Sequence, residues 1–153
     1  IRPTLAQLSW VTVYETATAG CHYNAQSYRI WKEQSFESAL RLKHAPTTDR
    51  RHNLHGHSYI VRLHLSAPLD EVMGWTVDYG DVKEIFKPVY ARMDHHRLDQ
   101  MDEIEDGNVC AVLQWIKDQM TPHLPQLDRI DLFETPGCGA LLCWGAEAPA
   151  LPA

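Results

Sequence analysis

The sequence has 153 residues, a length that suits one domain with a substantial core. Hydrophobic residues make up 44% and charged residues 22%, which excludes a chain that is disordered throughout. The formal net charge is −6, with 14 Lys+Arg against 20 Asp+Glu, which argues against a nucleic-acid-binding surface. No apolar run approaches the roughly 20 residues of a membrane-spanning helix. We therefore expect neither nucleic acid nor a membrane as partner.

The four cysteines form no CxxC pair and no dense framework. Since the chain also opens without a charged-then-apolar leader, we expect reduced cysteines and a cytoplasmic location. The sequence begins with Ile1 rather than Met, so we expect a processed or truncated piece.

The first predicted elements are two strands separated by a polar loop. Phe36–Leu42 is a short strand-like run, and His55–Leu65 alternates between apolar and polar residues. In the second strand, Tyr59, Val61 and Leu63 share one apolar face. We expect helices to cover that face, because a sheet must bury its apolar side.

A turn and two helices follow these strands. Trp75–Asp78 is predicted to re-enter a strand, and Asp81–Met93 has apolar residues at helical spacing, with Pro88 bending the helix from within. Asn108–Met120 shows the same spacing, and Asn108 is a good N-cap. The spacing therefore predicts two amphipathic helices in succession.

Two strands, Asp128–Thr135 and Ala140–Trp144, close the pattern around a Pro-Gly turn. From residue 31 onward the order is β-β-α-α-β-β. This order predicts an α+β domain over residues 31–145, with a four-stranded antiparallel sheet and two helices. Residues 146–153 are expected to form a disordered tail.

Residues 1–30 lie outside this pattern, and an internal repeat relates them to the end of the domain. Val11–Thr16 (VTVYET) parallels Ile130–Thr135 (IDLFET), and each is followed within a few residues by Gly-Cys. Glu15 and Glu134 thereby take equivalent positions. We expect this segment to be the last strands of a preceding copy or an N-terminal extension, and to pair with a sheet edge within an oligomer.

His55 and His57 are the sharpest chemical feature of the sequence. Residues i and i+2 of a strand point to the same face, so both imidazoles can converge on one ion, and Gly56 leaves room for close approach. A catalytic zinc ion needs a third protein ligand, for which His44 and His52 are nearby possibilities. On spacing alone, two surface histidines are the commoner explanation.

Two further pairs of residues are chemical candidates. Asp94 beside His95 is an arrangement that orients a general base, although both are also common turn residues. Glu134, followed by Thr135 at a strand end, can accept paired N–H bonds from the edge of a guanine or pterin ring. Considered alone, a solvated glutamate is the simpler explanation of Glu134.

Considered together, these features resemble a known family. The segments F-E-S-A-L-R-L, L-H-G-H-S-Y, G-W-T-V-D-Y-G-D-V-K, R-M-D-H-H-R-L and F-E-T occur in the order and spacing of the 6-pyruvoyl-tetrahydropterin synthase superfamily. The branch that the chain resembles most is bacterial 6-carboxytetrahydropterin synthase, of the queuosine (7-deazaguanine) pathway. The match runs from Trp31 to Trp144, and residues 9–23 also resemble the C-terminal strands of that family.

The resemblance implies a T-fold whose subunits join into an oligomeric barrel, commonly a homo-oligomeric trimer or hexamer. It also implies zinc as cofactor, dihydroneopterin triphosphate as substrate and carbon–oxygen lyase chemistry. The positions that match functional residues of the family are two zinc ligands at His55 and His57, an assisting pair at Asp94 and His95, and a pterin anchor at Glu134 and Thr135. Glu15 and Thr16 match a second copy of that anchor.

Three positions depart from the family pattern. Leu40 stands in place of the first zinc histidine, Arg51 in place of the catalytic cysteine, and Gly107–Cys110 in place of a Pro-Thr-Ser-Glu helix opening. Leucine has no donor atom for zinc, and arginine cannot serve as a thiolate. We therefore expect this copy to bind zinc weakly or not at all and to be impaired in the family reaction.

Three functions stay open on the sequence. The first is an enzyme in which this degenerate copy lends Asp94, His95 or scaffold to sites completed by an intact copy. The second is a non-catalytic module that binds a pterin or purine-like molecule through Glu134. The third is a structural copy that closes the ring of sheets.

Overall fold

A computed structural model describes residues 7–24, 27–68 and 77–145. Six antiparallel strands form one sheet and follow one another in sequence order across it. Two helices lie between the fourth and fifth strands of the chain. The elements are β1 (Val11–Thr16), β2 (Ala19–Tyr23), β3 (Tyr28–Leu40), β4 (His55–Ala67), α1 (Tyr79–Met93), α2 (Val109–Met120), β5 (Leu127–Thr135) and β6 (Cys138–Cys143).

The predicted β-β-α-α-β-β unit is confirmed by β3 to β6 and the two helices. The first strand is longer than predicted, since β3 begins at Tyr28. Of the strand predicted at Trp75–Asp78, residues 75 and 76 lie outside the described residues, as does the tail at 146–153. Asp78 is instead the N-cap of α1, because its carboxylate accepts a hydrogen bond from the backbone N–H of Gly80.

Both helices begin at capping residues and bury an apolar stripe. The side chain of Asn108 accepts a hydrogen bond from the backbone N–H of Ala111 at 3.0 Å, which confirms the predicted N-cap of α2. Helix α1 continues through Pro88 to Met93. Among the described residues, neither helix is long and apolar enough to cross a membrane.

The core lies between the helices and one face of the sheet. Tyr59, Val61 and Leu63 are at most 2% exposed and belong to this core, as their alternation predicted. Phe36 stacks on Tyr59 with ring centroids 4.9 Å apart, which ties β3 to β4 beneath the helices. The side chains of β3 and β4 around Phe36 and Tyr59 are therefore held by packing as well as by backbone pairing.

The opposite face of the sheet carries a buried polar network. Asp131 is fully buried and accepts hydrogen bonds from Arg129 at 2.6 and 2.9 Å, and its Oδ2 lies 3.0 Å from Nε2 of His64. Burial, with the nearby His64 and arginines, lowers the pKa of His22 to about 4, so that ring is neutral at pH 7. Pairing offsets the cost of burying the ionised groups.

The hairpin of β1 and β2 repeats the geometry of the hairpin of β5 and β6. Tyr14 pairs with Gly20 as Phe133 pairs with Gly139, and each pair is followed by a β-bulge. The bulge falls at Glu15 in one hairpin and at Glu134 in the other. The repeat of VTVYET in IDLFET is therefore also a structural repeat. The two Gly-Cys dipeptides are not equivalent, because Gly139 rather than Gly137 is the counterpart of Gly20 and Cys138 is the counterpart of Ala19. Strand β2 adds the first hairpin to the edge of β3 in the same chain. The four predicted strands thereby become a six-stranded sheet.

Candidate functional site

The two histidines of the H-G-H segment lie side by side at the start of β4. Their ring centroids are 5.3 Å apart and the rings are nearly perpendicular, at 87°. Nδ1 of His55 lies 2.8 Å from the carbonyl oxygen of Asn53. Because a carbonyl only accepts, Nδ1 is the donor in this contact, and in the neutral form of the ring the lone pair lies on Nε2. This tautomer suits a metal-ligating or proton-accepting histidine.

Leu40, which the family resemblance places where a third zinc ligand is expected, lies opposite the first histidine of the pair. The register of β3 and β4 pairs Leu40 directly with His55, so both side chains lie on the same face of the sheet. Leu40 is 1% exposed, and a Cβ added to Gly107 would lie 3.0 Å from its Cβ, so the loop before α2 closes tightly over it. The leucine side chain is therefore packed into the core and offers no donor atom.

The residues present do not fit a three-ligand zinc site. Among residues 7–24, 27–68 and 77–145, no three His, Cys, Asp or Glu side chains are grouped to hold a metal ion. His52, one of the two replacements considered from the sequence, directs Nδ1 to the carbonyl oxygen of Ala45 at 3.1 Å. Neither His52 nor His44 joins the pair in such a group. His55 and His57 therefore supply only two of the three protein ligands that a catalytic zinc ion takes.

Asp94 and His95 lie in the turn after α1 and are tied to β3. The backbone N–H of His95 donates to the carbonyl oxygen of Glu37 at 2.7 Å, and Oδ1 of Asp94 accepts from the backbone N–H of Glu37 at 3.0 Å. His95 has φ of 58°, in the left-handed region that a non-glycine residue rarely occupies. Its ring is exposed and its Nε2 is 3.8 Å from Oδ2 of Asp94.

The turn that carries His95 and one member of the histidine pair, His57, share one cavity. His95 and His57 both line an open cavity of about 410 Å³, together with Glu37 and Ser58. Ser58 donates a hydrogen bond to the Glu37 carboxylate at 2.8 Å across the strands. The structure therefore brings His95 and His57, which are 38 positions apart in the sequence, to one place in a single chain.

Glu134 lies at the bulge of β5, on the strand next to β4. A bulge re-aims the side chain of the extra residue, and this carboxylate reaches the same end of the sheet as the histidine pair. Burial chiefly, and the charge of Glu134 in addition, raise the pKa of Tyr59, which therefore stays a neutral phenol. Thr135 follows in an exposed position at the hairpin turn.

Glu15 and Thr16 take the equivalent places in the first hairpin, but this hairpin lies near the start of α1 rather than near the histidine pair. Burial chiefly, then the charges of Cys21 and Glu15, raise the pKa of Tyr79 at the start of α1. The hydroxyl of Tyr79 donates to the carbonyl oxygen of Gly20 at 2.8 Å. Strands β1 and β5 are separated by three others, roughly 19 Å across the sheet. The structure therefore does not bring Glu15 to the histidine pair of its own chain.

Asp49 is a residue of this region that the sequence reasoning missed. Its carboxylate accepts from Nε of Arg51 at 3.1 Å and from Nη2 at 2.7 Å. These bonds lower the pKa of Asp49 to about 2, so the pair is fully ionised. Asp and Arg two positions apart in a short turn could have signalled the pair. Arg51, which the family resemblance places where a cysteine is expected, is therefore a guanidinium cation paired with Asp49.

Comparison with known proteins decides the family. The family model described as 6-pyruvoyl tetrahydropterin synthase matches residues 29–142, most of the chain. The chain belongs to this family. It is 30% identical over 112 residues to the 6-carboxy-5,6,7,8-tetrahydropterin synthase of Synechocystis sp., an alignment that covers 69% of this chain and 85% of that protein.

Solved structures of the 6-pyruvoyl tetrahydropterin synthase family share the fold. The Caenorhabditis elegans enzyme superposes with a TM-score of 0.70 at 20% identity, covering 76% of this chain and 95% of that one. The Plasmodium falciparum enzyme gives a TM-score of 0.59 at 19% identity, covering 76% and 96%. The expected T-fold, an α+β fold with an antiparallel sheet and two helices, is confirmed.

Proposed function

We propose that this chain is a pterin-binding subunit of the 6-carboxytetrahydropterin synthase type whose own zinc site is incomplete. Leu40 carries the proposal, because this buried leucine lies directly opposite His55, at the position where the family resemblance places a third metal ligand. The identity to the Synechocystis protein favours that branch of the family and, with it, the cytoplasmic queuosine route.

Glu134 is the residue that we assign to ligand recognition. Its carboxylate is partly exposed at a β-bulge beside β4, where it can accept two N–H bonds from the amidine-like edge of a pterin. Charge-assisted bonds of this kind are about twice as strong as neutral ones and favour a ring that presents two donors. Thr135 adds an exposed hydroxyl at the next position.

Asp94 and His95 are the residues that we assign to proton transfer. The Asp94 carboxylate is fixed by the Glu37 backbone and lies beside the His95 ring, which lines the same cavity as His57. Arg51 cannot take a proton as a cysteine thiolate would, because its guanidinium is already protonated and has no acceptor atom. The chain would therefore move protons only in a site that an intact copy completes.

Neopterin titration of the purified protein, followed by fluorescence, tests the proposal. Glu134→Ala should weaken binding by about tenfold or more, because a hydrogen bond to a charged group contributes roughly 1.5–3 kcal/mol. Glu84→Ala removes an exposed carboxylate from α1 and should leave affinity unchanged. Equal affinity of wild type and Glu134→Ala, or no neopterin binding by wild type, would contradict the proposal.

Glu15→Ala in the same titration reports on the second anchor. If an assembly brings the first hairpin to a pterin site, this variant should also weaken binding without changing assembly size, because the backbone pairing of β1 is retained. Unchanged affinity would limit pterin recognition to the hairpin of β5 and β6.

A further inference from the structure

Ser38 is a buried polar residue at the place where β3 meets the turn that carries Asp94 and His95. It is 7% exposed, and a serine hydroxyl that is buried in this way needs a hydrogen-bond partner. The register of β3 and β4 pairs Ser38 with His57, so both side chains lie on the same face of the sheet. Ser38 also lines the cavity that His57 and His95 share.

The hydroxyl of Ser38 contacts the chain on both sides of the turn that follows α1. Its Oγ lies 3.0 Å from the carbonyl oxygen of Met93 and 2.7 Å from that of His96. These two carbonyl groups bracket Asp94 and His95. A hydroxyl carries one proton, so it donates to one carbonyl oxygen at a time and can alternate between the two. Ser38 therefore connects β3 to both ends of the turn.

The turn needs such a contact because His95 has an unfavourable backbone conformation. Its φ of 58° lies in the left-handed region, and a non-glycine residue stays there only where the surrounding contacts hold it. The backbone N–H of His95 donates to the carbonyl oxygen of Glu37, the residue before Ser38, at 2.7 Å. Two successive residues of β3 therefore bind the turn, Glu37 at His95 itself and Ser38 on either side of it.

The other hydrogen bonds of the turn do not depend on the Ser38 hydroxyl. The carbonyl oxygen of Met93 also accepts from the backbone N–H of His96 at 3.2 Å, and the carbonyl oxygen of His96 accepts from the backbone N–H of Ala39 at 3.2 Å. Both carbonyl groups therefore keep a partner when the hydroxyl is removed. We expect its removal to loosen the turn without unfolding the chain.

We propose that Ser38 is a positioning residue for the Asp94–His95 pair, a role in proton transfer that rests on the proposed function. By binding both ends of the turn, its hydroxyl keeps the His95 ring beside the Asp94 carboxylate, where Nε2 lies 3.8 Å from Oδ2. A carboxylate beside an imidazole orients the ring and increases its basicity and nucleophilicity. Ser38 thereby acts through Asp94 and His95 rather than through contact with a ligand.

The reaction of His95 with diethyl pyrocarbonate, which acylates a neutral imidazole, tests this role in the full chain. Peptide mass spectrometry measures the rate for His95 at mildly alkaline pH, relative to the rate for the exposed His123 of the same molecule. Asp94→Asn keeps an acceptor oxygen for the backbone N–H of Glu37 but removes the charge, and it should slow His95 severalfold. Ser38→Ala should slow His95 by a similar factor and add no further slowing in the Asp94→Asn background.

Three further variants separate the hydroxyl from the packing of the strand. Ser35→Ala makes the same change at an exposed position of β3 and should leave the rate for His95 unchanged. Ser38→Thr keeps the hydroxyl and should react as wild type does, whatever its extra methyl group does to the melting temperature. Ser38→Cys has a weak S–H donor in place of the hydroxyl, so it should also slow His95, and it takes the place of Ser38→Ala if that variant does not fold.

An unchanged rate for His95 in Ser38→Ala, or equal slowing by Ser35→Ala or Ser38→Thr, would overturn the positioning role. Neopterin titration of the same proteins separates this outcome from failure of the proposed function. Ser38→Ala should bind neopterin with wild-type affinity, because Glu134 lies on β5. If wild type binds no neopterin but the reactivity of His95 depends on Ser38 as expected, the pterin function fails while the positioning of His95 by Ser38 is supported.

Discussion

Burial of the Leu40 side chain stabilises the fold, and the same side chain offers no donor atom to a metal ion. It is almost fully buried, opposite His55 and beneath Gly107, so its burial contributes about 2 kcal/mol that a polar residue there would forgo. The packing of the loop before α2 is consistent with an apolar residue at this position. The absence of a metal ligand at position 40 and the close packing of the loop before α2 therefore both depend on the buried leucine side chain.

Leu40→His should restore zinc affinity, because it adds a third imidazole on the face shared by His55 and His57. Affinity should rise on the order of 100-fold or more, since even outer-shell partners are worth 10–100-fold. The cost in stability should be about 1–3 kcal/mol, because a polar ring enters a packed site. Zinc content after dialysis against a mild chelator, measured by elemental analysis, checks the first expectation.

Leu40→Gln is the control, because it introduces a polar side chain of similar size that is a poor zinc ligand. Equal zinc content in the two variants would show that the third ligand does not belong at this position.

Part of this site could be predicted from the sequence. The H-G-H spacing alone places His55 and His57 on one face, because strand periodicity does not depend on tertiary structure. The pairing of Leu40 with His55 depends on a register that only the folded sheet defines. The proximity of His95 to His57 depends on how a turn after α1 docks on β3. Such contacts between distant segments leave no periodic signal.

At the scale of elements, the sequence predicts that the first hairpin consists of strands that pair with a sheet edge within an oligomer, but it does not predict that this edge is β3 of the same chain. β-branched and aromatic content favours strands at residues 9–23, whereas pairing with β3 of the same chain is a tertiary result. Gly20 makes that packing possible, because a Cβ there would lie 2.6 Å from the Val13 carbonyl oxygen and 2.9 Å from Cζ2 of Trp31. Trp31 is 3% exposed and contacts Tyr14 edge to face.

Gly20→Val should therefore loosen the hairpin from the sheet. The added side chain has to displace Trp31 or the β1 backbone, and such overpacking costs about 1–3 kcal/mol. The melting temperature should fall by several degrees, and limited proteolysis should cleave first within residues 7–24. Gly137→Asn is the control: nothing lies near that position, and asparagine tolerates its φ of 78°. A stable, protease-resistant Gly20→Val protein would refute this account.

At the scale of the whole molecule, the sheet has two outer edges, β1 and β6. Their side chains include three of the four large hydrophobic residues that stand exposed in the described chain, namely Val13 (61%), Tyr14 (68%) and Leu141 (52%). Open apolar edges invite pairing with another sheet, and natural proteins cover or charge them unless pairing is intended. The family resemblance predicts an oligomeric barrel, and these exposed edge residues favour that prediction.

We therefore expect the protein to be an oligomer at micromolar concentration, and the family resemblance favours a trimer or hexamer. Charged residues introduced on the edge strands should dissociate this oligomer. Val13→Lys and Leu141→Lys place a cation on β1 and β6, respectively, where desolvating an ammonium would oppose strand pairing. Light scattering after size-exclusion chromatography should show smaller species for both variants. Leu54→Lys provides the matched control, because Leu54 is 58% exposed but lies in the β3–β4 connection, away from either edge. A wild-type monomer, or dissociation by Leu54→Lys to the same extent, would show that these strand edges do not hold the assembly together.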